Sequence, residues 1–189
     1  MVNEVLHRYI TEEIEYTGEQ LRSLWAFKEF DLQGDSIVAF AGPCHVRGLY
    51  MVDQADVKGG LHIYSERMLH FIAEHFDMDL EKTICRQRLL VSLAQDLLMR
   101  QVRALRVQRE GDDLYAEGCK MSVSIATLTP VSTVIHFGIN ISSANTPVAT
   151  KGLNDFDIDA YMFAEELLDR YVAEMEEIQL ARAKVRGVE

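Results

Sequence analysis

Between Val107 and Ile141 the sequence VQREGDDLYAEGCKMSVSIATLTPVSTVIHFGINI leaves a narrow choice of structure. Val123, Ile125 and Thr127 alternate with Ser122, Ser124 and Ala126, the period of two that marks a strand with one face buried. Past Pro130 the β-branched Val131, Thr133, Val134 and Ile135 predict a second long strand, running through His136 and Phe137 to Gly138 with Asn140 beyond it. Upstream, Val107 to Lys120 reads as strand, tight turn and strand. Lys120 then falls at the mouth of an apolar sheet, and the amide of Asn140 at the end of a neighbouring strand. Convergent polar groups over an apolar floor are what a small-molecule pocket requires.

The rest of the chain supplies strands and helices to surround that stretch. Alternation over 2–10 predicts a short first strand. Thr17 and Gln20 have the spacing of a capping box, and Leu21, Leu24 and Trp25 give a helix face over 18–30. Ser36 to Gly42 reads as a buried strand, broken by Gly42-Pro43-Cys44-His45. An irregular stretch with Arg47, Asp53 and Asp56 follows. Ser65 is expected to cap a second helix with Met68, Leu69, Ile72 and Phe76 on its buried side. His70 and His75, five apart, would diverge on such a helix and share no metal. Leu90, Leu93, Ala94, Leu97 and Leu98 predict a strong helix over 84–101. Residues 142–154 read as a loop. A terminal helix, capped by Asp157 or Asp159, presents Phe163, Leu167, Leu168, Tyr171, Met175 and Ile178 on one face.

With 189 residues, 48% of them hydrophobic, the chain forms a core without staples, and a single domain over 1–189 is expected. A net charge of −11 repels a phosphate backbone and excludes general nucleic-acid binding. Nine acidic residues against one arginine over 154–177 read as the solvated side of the terminal helix. Cys44, Cys85 and Cys119 form neither a disulfide framework nor a zinc motif, consistent with a reducing, cytoplasmic setting. No apolar run reaches membrane-spanning length, so no membrane partner is expected.

The spacing Asp112-Asp113-Leu114-Tyr115, then Lys120-Met121, then Phe137-Gly138-Ile139-Asn140, resembles the central part of biotin protein ligases. The segments GPCHV, DDLY, KMSVSIAT and IHFGIN are also similar to those of an uncharacterised prokaryotic family thought to share that fold. The resemblance implies an α+β, biotin/lipoate ligase-like (class II synthetase-like) architecture, with a mixed, largely antiparallel sheet packed with helices. It implies a catalytic Lys120 that stabilises negative charge on a carboxylate or phosphate. Asp113 and Asn140 match residues near the nucleotide and its metal, with Asp113 as metal ligand and with ATP and magnesium as cofactors. His136, two residues before Gly138, is placed to bond a ligand. Where ligases carry a loop rich in glycine and arginine, this chain offers Arg47 alone among arginines, with Asp53 and Asp56. Cys119 adjoins Lys120, but strand neighbours point to opposite faces, so it is not expected to be a nucleophile. The leading reading is a ligase-like or acyltransferase-like protein that binds a small carboxylate or acyl compound, alone or as its adenylate, over the sheet near Lys120. The alternative is a non-catalytic, homodimeric binding or interaction protein; a metal hydrolase using Asp53, Asp56 and a histidine is weaker.

Overall fold

The computed structural model describes residues 5–60 and 62–188, so the part of the expected first strand before Val5 lies outside them. Among the described residues eight strands form two sheets. The larger contains β1 (Leu6–Ile10), β2 (Ser36–Val46), β3 (Ile63–His75), β7 (Ser122–Leu128) and β8 (Thr133–Asn140), in the order β1-β2-β3-β8-β7. β1 pairs with β2 in parallel and every other pairing in this sheet is antiparallel. The smaller antiparallel sheet joins β4 (Val107–Glu110), β5 (Asp113–Ala116) and β6 (Cys119–Lys120). The mixed, largely antiparallel α+β architecture expected from the sequence is the one observed.

Two long helices, α3 (Leu80–Gln101) and α4 (Ala160–Ala183), cover one face of the larger sheet. Their starts are set by side chains: Asp79 accepts the Lys82 amide and Asp159 accepts the Met162 amide, each satisfying an otherwise orphaned donor. Leu90, Val91, Ala94, Leu97 and Leu98 of α3, with Phe163, Leu167 and Leu168 of α4, pack on Leu69, Phe71, Ile135, Phe137 and Ile139. The opposite face carries a second cluster in which Val38, Phe40, Met68 and Ile72 meet Tyr16, Trp25 and Leu32.

Residues 65–76 do not form the expected helix. They belong to β3, where Ser65 lies opposite Cys44 in the ladder instead of capping a turn. β3 is central and both its faces are buried, so its apolar residues run together and lose the period of two. Met68, Leu69 and Ile72 then fall at a spacing that imitates a helix stripe.

The first helix is also shorter than 18–30. α1 spans Trp25–Phe30, because Leu24 adopts a left-handed conformation (φ 65°) that ends any helical run before it. The pairing expected of a capping box survives in part without a helix: Gln20 Oε1 accepts the Thr17 amide at 3.2 Å. The buried carboxylate of Glu74, reaching over from β3, does the capping. It accepts the Leu24 amide at 2.8 and 3.1 Å and the Ser132 hydroxyl at 2.6 Å.

Replacing Glu74 by alanine strands the half-buried Leu24 amide and leaves the Ser132 hydroxyl with Thr129 alone. The variant E74A is expected to lose about 1–3 kcal/mol of stability in urea unfolding, and an unchanged midpoint would contradict this role.

Candidate binding site over the sheet

The site begins with a strand that does not stop where the sequence suggests. β2 continues through Gly42-Pro43-Cys44-His45 to Val46, and a bulge between Gly42 and Cys44 shifts its register against β3. Proline has no amide to donate, but the Pro43 carbonyl accepts the Tyr16 amide at 2.9 Å, and the Tyr16 carbonyl accepts the His45 amide at 2.8 Å. The chain crosses here at van der Waals limits, for a Cβ on Gly42 would lie 2.0 Å from the Ile14 carbonyl oxygen. Only glycine admits that crossing.

The crossing lays Tyr16 on the sheet, its ring stacked on that of His136 with centroids 3.8 Å apart. His136 and His70 project from neighbouring strands β8 and β3, and His136 Nε2 lies 3.1 Å from His70 Nδ1. His70 Nε2 reaches the Gly42 carbonyl at 3.3 Å. Burial holds the His70 imidazole down to about 3. Burial and the proximity of His70 hold His136 well below the ordinary histidine range. Both rings are therefore neutral at physiological pH. Burial likewise pushes the Cys44 thiol beside them up to about 12, which makes it an inert packing group.

Beside this cluster opens a cavity of about 570 Å³. Val123, Ile125, Met68, His136 and Asn140 contribute to its sheet side, and Tyr16, Tyr50, Val52 and Asp53 to its cover. Residues Thr146, Pro147 and Val148, together with Asp112, Asp113 and Lys120, complete the lining. Gln87 of α3 hydrogen-bonds the Ser124 hydroxyl, and the Leu114 amide of β5 that of Ser122, so Val123 and Ile125 give the apolar part of this wall and both serines edge it. Lys120 is 31% exposed and pairs with Asp113 at 2.7 Å. Its backbone is fixed on both sides, the amide donating to Ala149 and the carbonyl accepting from Lys151. Asn140 is 4% exposed, and its Nδ2 lies 3.5 Å from the Lys151 carbonyl.

Four residues expected from the sequence, Lys120, Asp113, Asn140 and His136, thus share one cavity. Arg47 does not join them. Its guanidinium turns back onto the His45 ring, and it lines a separate depression with His45, His62 and Tyr64. β2 extends as far as Val46 and carries Arg47 past the cavity. Asp112 lines the cavity but is engaged from α3, by Gln87 at 2.9 Å and Arg88 at 3.4 Å. Asp53 lines it too, whereas the Asp56 side chain lies outside the described residues. Cys119 is not part of the lining. Among the described residues no three metal-ligating groups come together, and no helix is long and apolar enough to cross a membrane.

Sequence reasoning missed the cover of the cavity. Tyr16 and the segment around Tyr50 to Asp53 are distant in sequence, and His70 had been placed on a helix. The signal that could have found them was Gly42-Pro43, a pair that permits a bulge and a close crossing as readily as a strand end.

A largely antiparallel sheet with helices on one face, and on the other a cavity whose lysine is carried by a small hairpin sheet, defines an α+β protein of the biotin and lipoate ligase fold. The biotin protein ligase from Aquifex aeolicus in complex with biotin and ATP superimposes with a TM-score of 0.62 at 14% identity, over 91% of this chain and 70% of that one. The putative lipoate protein ligase from T. acidophilum with bound lipoic acid gives 0.55 at 14% identity, over 93% and 86%. The chain belongs to the DUF366 family, a domain of unknown function, which matches residues 5–186. An uncharacterized protein of Methanocaldococcus jannaschii is 39% identical over 180 residues, covering 90% of this chain and 80% of that one. A protein of unknown function from Pyrococcus horikoshi has the same structure, with a TM-score of 0.90 at 34% identity over 97% and 100% of the two chains.

The two neutral histidines make stability depend on pH. Unfolded, each titrates near 6.5; folded, His70 titrates near 3, so between these values the unfolded chain binds more protons and stability falls as pH falls. Each histidine adds a slope of about 1.4 kcal/mol per pH unit. Urea unfolding measured from neutral pH down toward pH 5 is expected to show this decline, and a flat profile would mean that the rings are already solvated.

Proposed function

We propose that this chain is a ligase-like protein that binds a small carboxylate or acyl compound in the cavity, with Lys120 holding its negative end. The observation that carries the reading is the position of the Lys120 ammonium at the cavity wall, where apolar strand faces adjoin it. An ammonium has three donors, and the bond to Asp113 uses one, leaving others for a ligand oxygen. Val123, Ile125 and Met68 offer the tail of such a compound an apolar surface.

A nucleotide fits this cavity less well. Among the described lining residues Lys120 is the one lysine or arginine, set against the carboxylates of Asp53, Asp112 and Asp113. Arg47 supplies no clamp. Lys120 is paired with Asp113 and Asp112 with Arg88 of α3, so a triphosphate would find little cationic compensation, and Asp113, the candidate magnesium ligand, already serves the ammonium. The residues therefore do not fit ATP with magnesium, and the reading favours carboxylate or acyl binding, with no step through an adenylate. This is the alternative weighed from the sequence, a protein that keeps the ligase fold as a small-molecule binder. A homodimer belongs to the same reading, supported by β7 at the edge of the sheet and by the exposed Leu128 and Val131 at its hairpin.

Titration calorimetry with biotin, lipoate and octanoate tests the reading. At least one of these acids is expected to bind, and K120A is expected to weaken it by about tenfold or more, equivalent to about 1.4 kcal/mol. Binding indifferent to Lys120 would refute it. Exchange of pyrophosphate into ATP is expected to be absent, and its appearance would restore adenylation.

A further inference from the structure

The buried end of the cavity carries an acceptor that the reading above does not use. His70 Nε2 faces the Gly42 carbonyl, which can only accept, so the proton of this neutral ring sits on Nε2 and its Nδ1 is a lone pair. His136 Nε2 faces that lone pair and must donate to it. The opposite tautomers would set a lone pair of His70 against a carbonyl oxygen. His136 Nδ1 is consequently unprotonated, and among the described residues nothing donates to it. Nor is it sealed, since Ser36 Oγ is the one fully buried side-chain atom without a partner among the described residues. The void that His136 lines is the cavity. An acceptor on a residue only 3% exposed, fixed by a relay through two strands to a backbone carbonyl, asks for a donor from whatever fills that space.

The distance to the other end is set by the strand. His136, Gly138 and Asn140 share one face of β8, so the Cα atoms of His136 and Asn140 stand about 13 Å apart along it at the usual rise per residue, and the His136 ring leans over Gly138. Asn140 is next to the lysine end, its backbone N–H donating to the Met121 carbonyl directly after Lys120. Gly138 between them projects no side chain, and Val123 beside it is apolar. Polar groups therefore stand at both ends of a floor that is apolar in the middle.

We propose that the ligand is polar at both ends: a carboxylate or acyl group at Lys120 and, across an apolar span, an N–H or O–H donor that bonds Nδ1 of His136. The inference rests on the carboxylate lying at Lys120 and adds the class of group at the other terminus, an amide, amine or hydroxyl in place of a methyl or other apolar cap. Tyr16, stacked on the His136 ring, keeps that ring from turning, so His136 is a specificity residue whose tautomer is preset.

The test uses the full chain and matched acids: octanoate and decanoate, each with its ω-hydroxy and ω-carboxamide counterpart. Donor-ended acids are expected to bind about tenfold more tightly than the methyl-ended acid of the same length. H136F, which keeps a ring under Tyr16 and removes the acceptor, is expected to erase that advantage, so that donor-ended and methyl-ended acids of one length bind alike. Should H136F fail to fold, imidazole nitrogen NMR of the wild-type protein gives the same reading. The unprotonated Nδ1 signal is expected to move with ω-hydroxyoctanoate and to stay with octanoate. Equal, Lys120-dependent binding of both kinds of acid, or an Nδ1 signal indifferent to the donor, overturns this inference alone. Failure of every acid to bind overturns the carboxylate reading with it.

Discussion

Because β3 is covered on one face by the helices and on the other by Tyr16, Trp25 and the cavity, every polar side chain along its second half has to find its partner inside the protein. Three do so, and each solution fixes a different part of the molecule. Glu74 takes the Leu24 amide and thereby starts α1. His75, facing the helices, bonds the Tyr171 hydroxyl at 2.8 Å and Asp35 at 3.0 Å, tying α4 to the head of β2. Although burial opposes ionisation, the bonds from His75 and the Phe76 amide hold the Asp35 carboxyl below its usual range, so that end of the chain is an anion. His70, facing the cavity, takes the Gly42 carbonyl and orients His136. A strand whose apolar residues imitate a helix stripe is the axis on which helix, sheet and site are aligned.

The parts legible in the sequence were those whose burial is one-sided. β7 and the helices α3 and α4 each keep one solvated or cavity-facing side, so their periods survive in the pattern of residues. Capping by Asp159 followed from the same logic, with Asp157 instead closing a short 3-10 turn in a left-handed conformation. What failed was what depends on neighbours. β3 lost its period through burial on both faces, and the helix expected from residue 18 was cut short by the left-handed turn at Leu24, whose amide is held by a carboxylate fifty residues away. Gly42-Pro43 looked like an end because the segment that crosses it at residues 14–16 cannot be located from sequence.

For the site the division is similar. Lys120, Asp113, His136 and Asn140 share the cavity expected of them because two adjacent elements carry them, a hairpin and a strand, in which spacing translates directly into position. Arg47 was misplaced because its position depended on where β2 ended. Tyr16 and His70 were invisible as site residues, since the contact that gives them a role is a stack and a ring-to-ring bond between distant strands. The likeness to biotin and lipoate ligases concerns the frame. The lining, with three carboxylates and one ammonium, is this chain's own arrangement, and fold alone does not transfer an activity to it.

The arrangement of His136, Gly138 and Asn140 on a single strand face has a bearing on how such a cavity can change. Side chains alternate across a strand, so sliding β8 by one residue would hand the floor to Phe137 and Ile139 and turn the polar groups toward the helices. Only a slide by two keeps the face, and it moves His136 by about 7 Å relative to Lys120 at once. Within this family, the reach between the cavity's two ends can therefore be adjusted only in coarse steps, and finer tuning has to come from the cover contributed by Tyr16 and Tyr50.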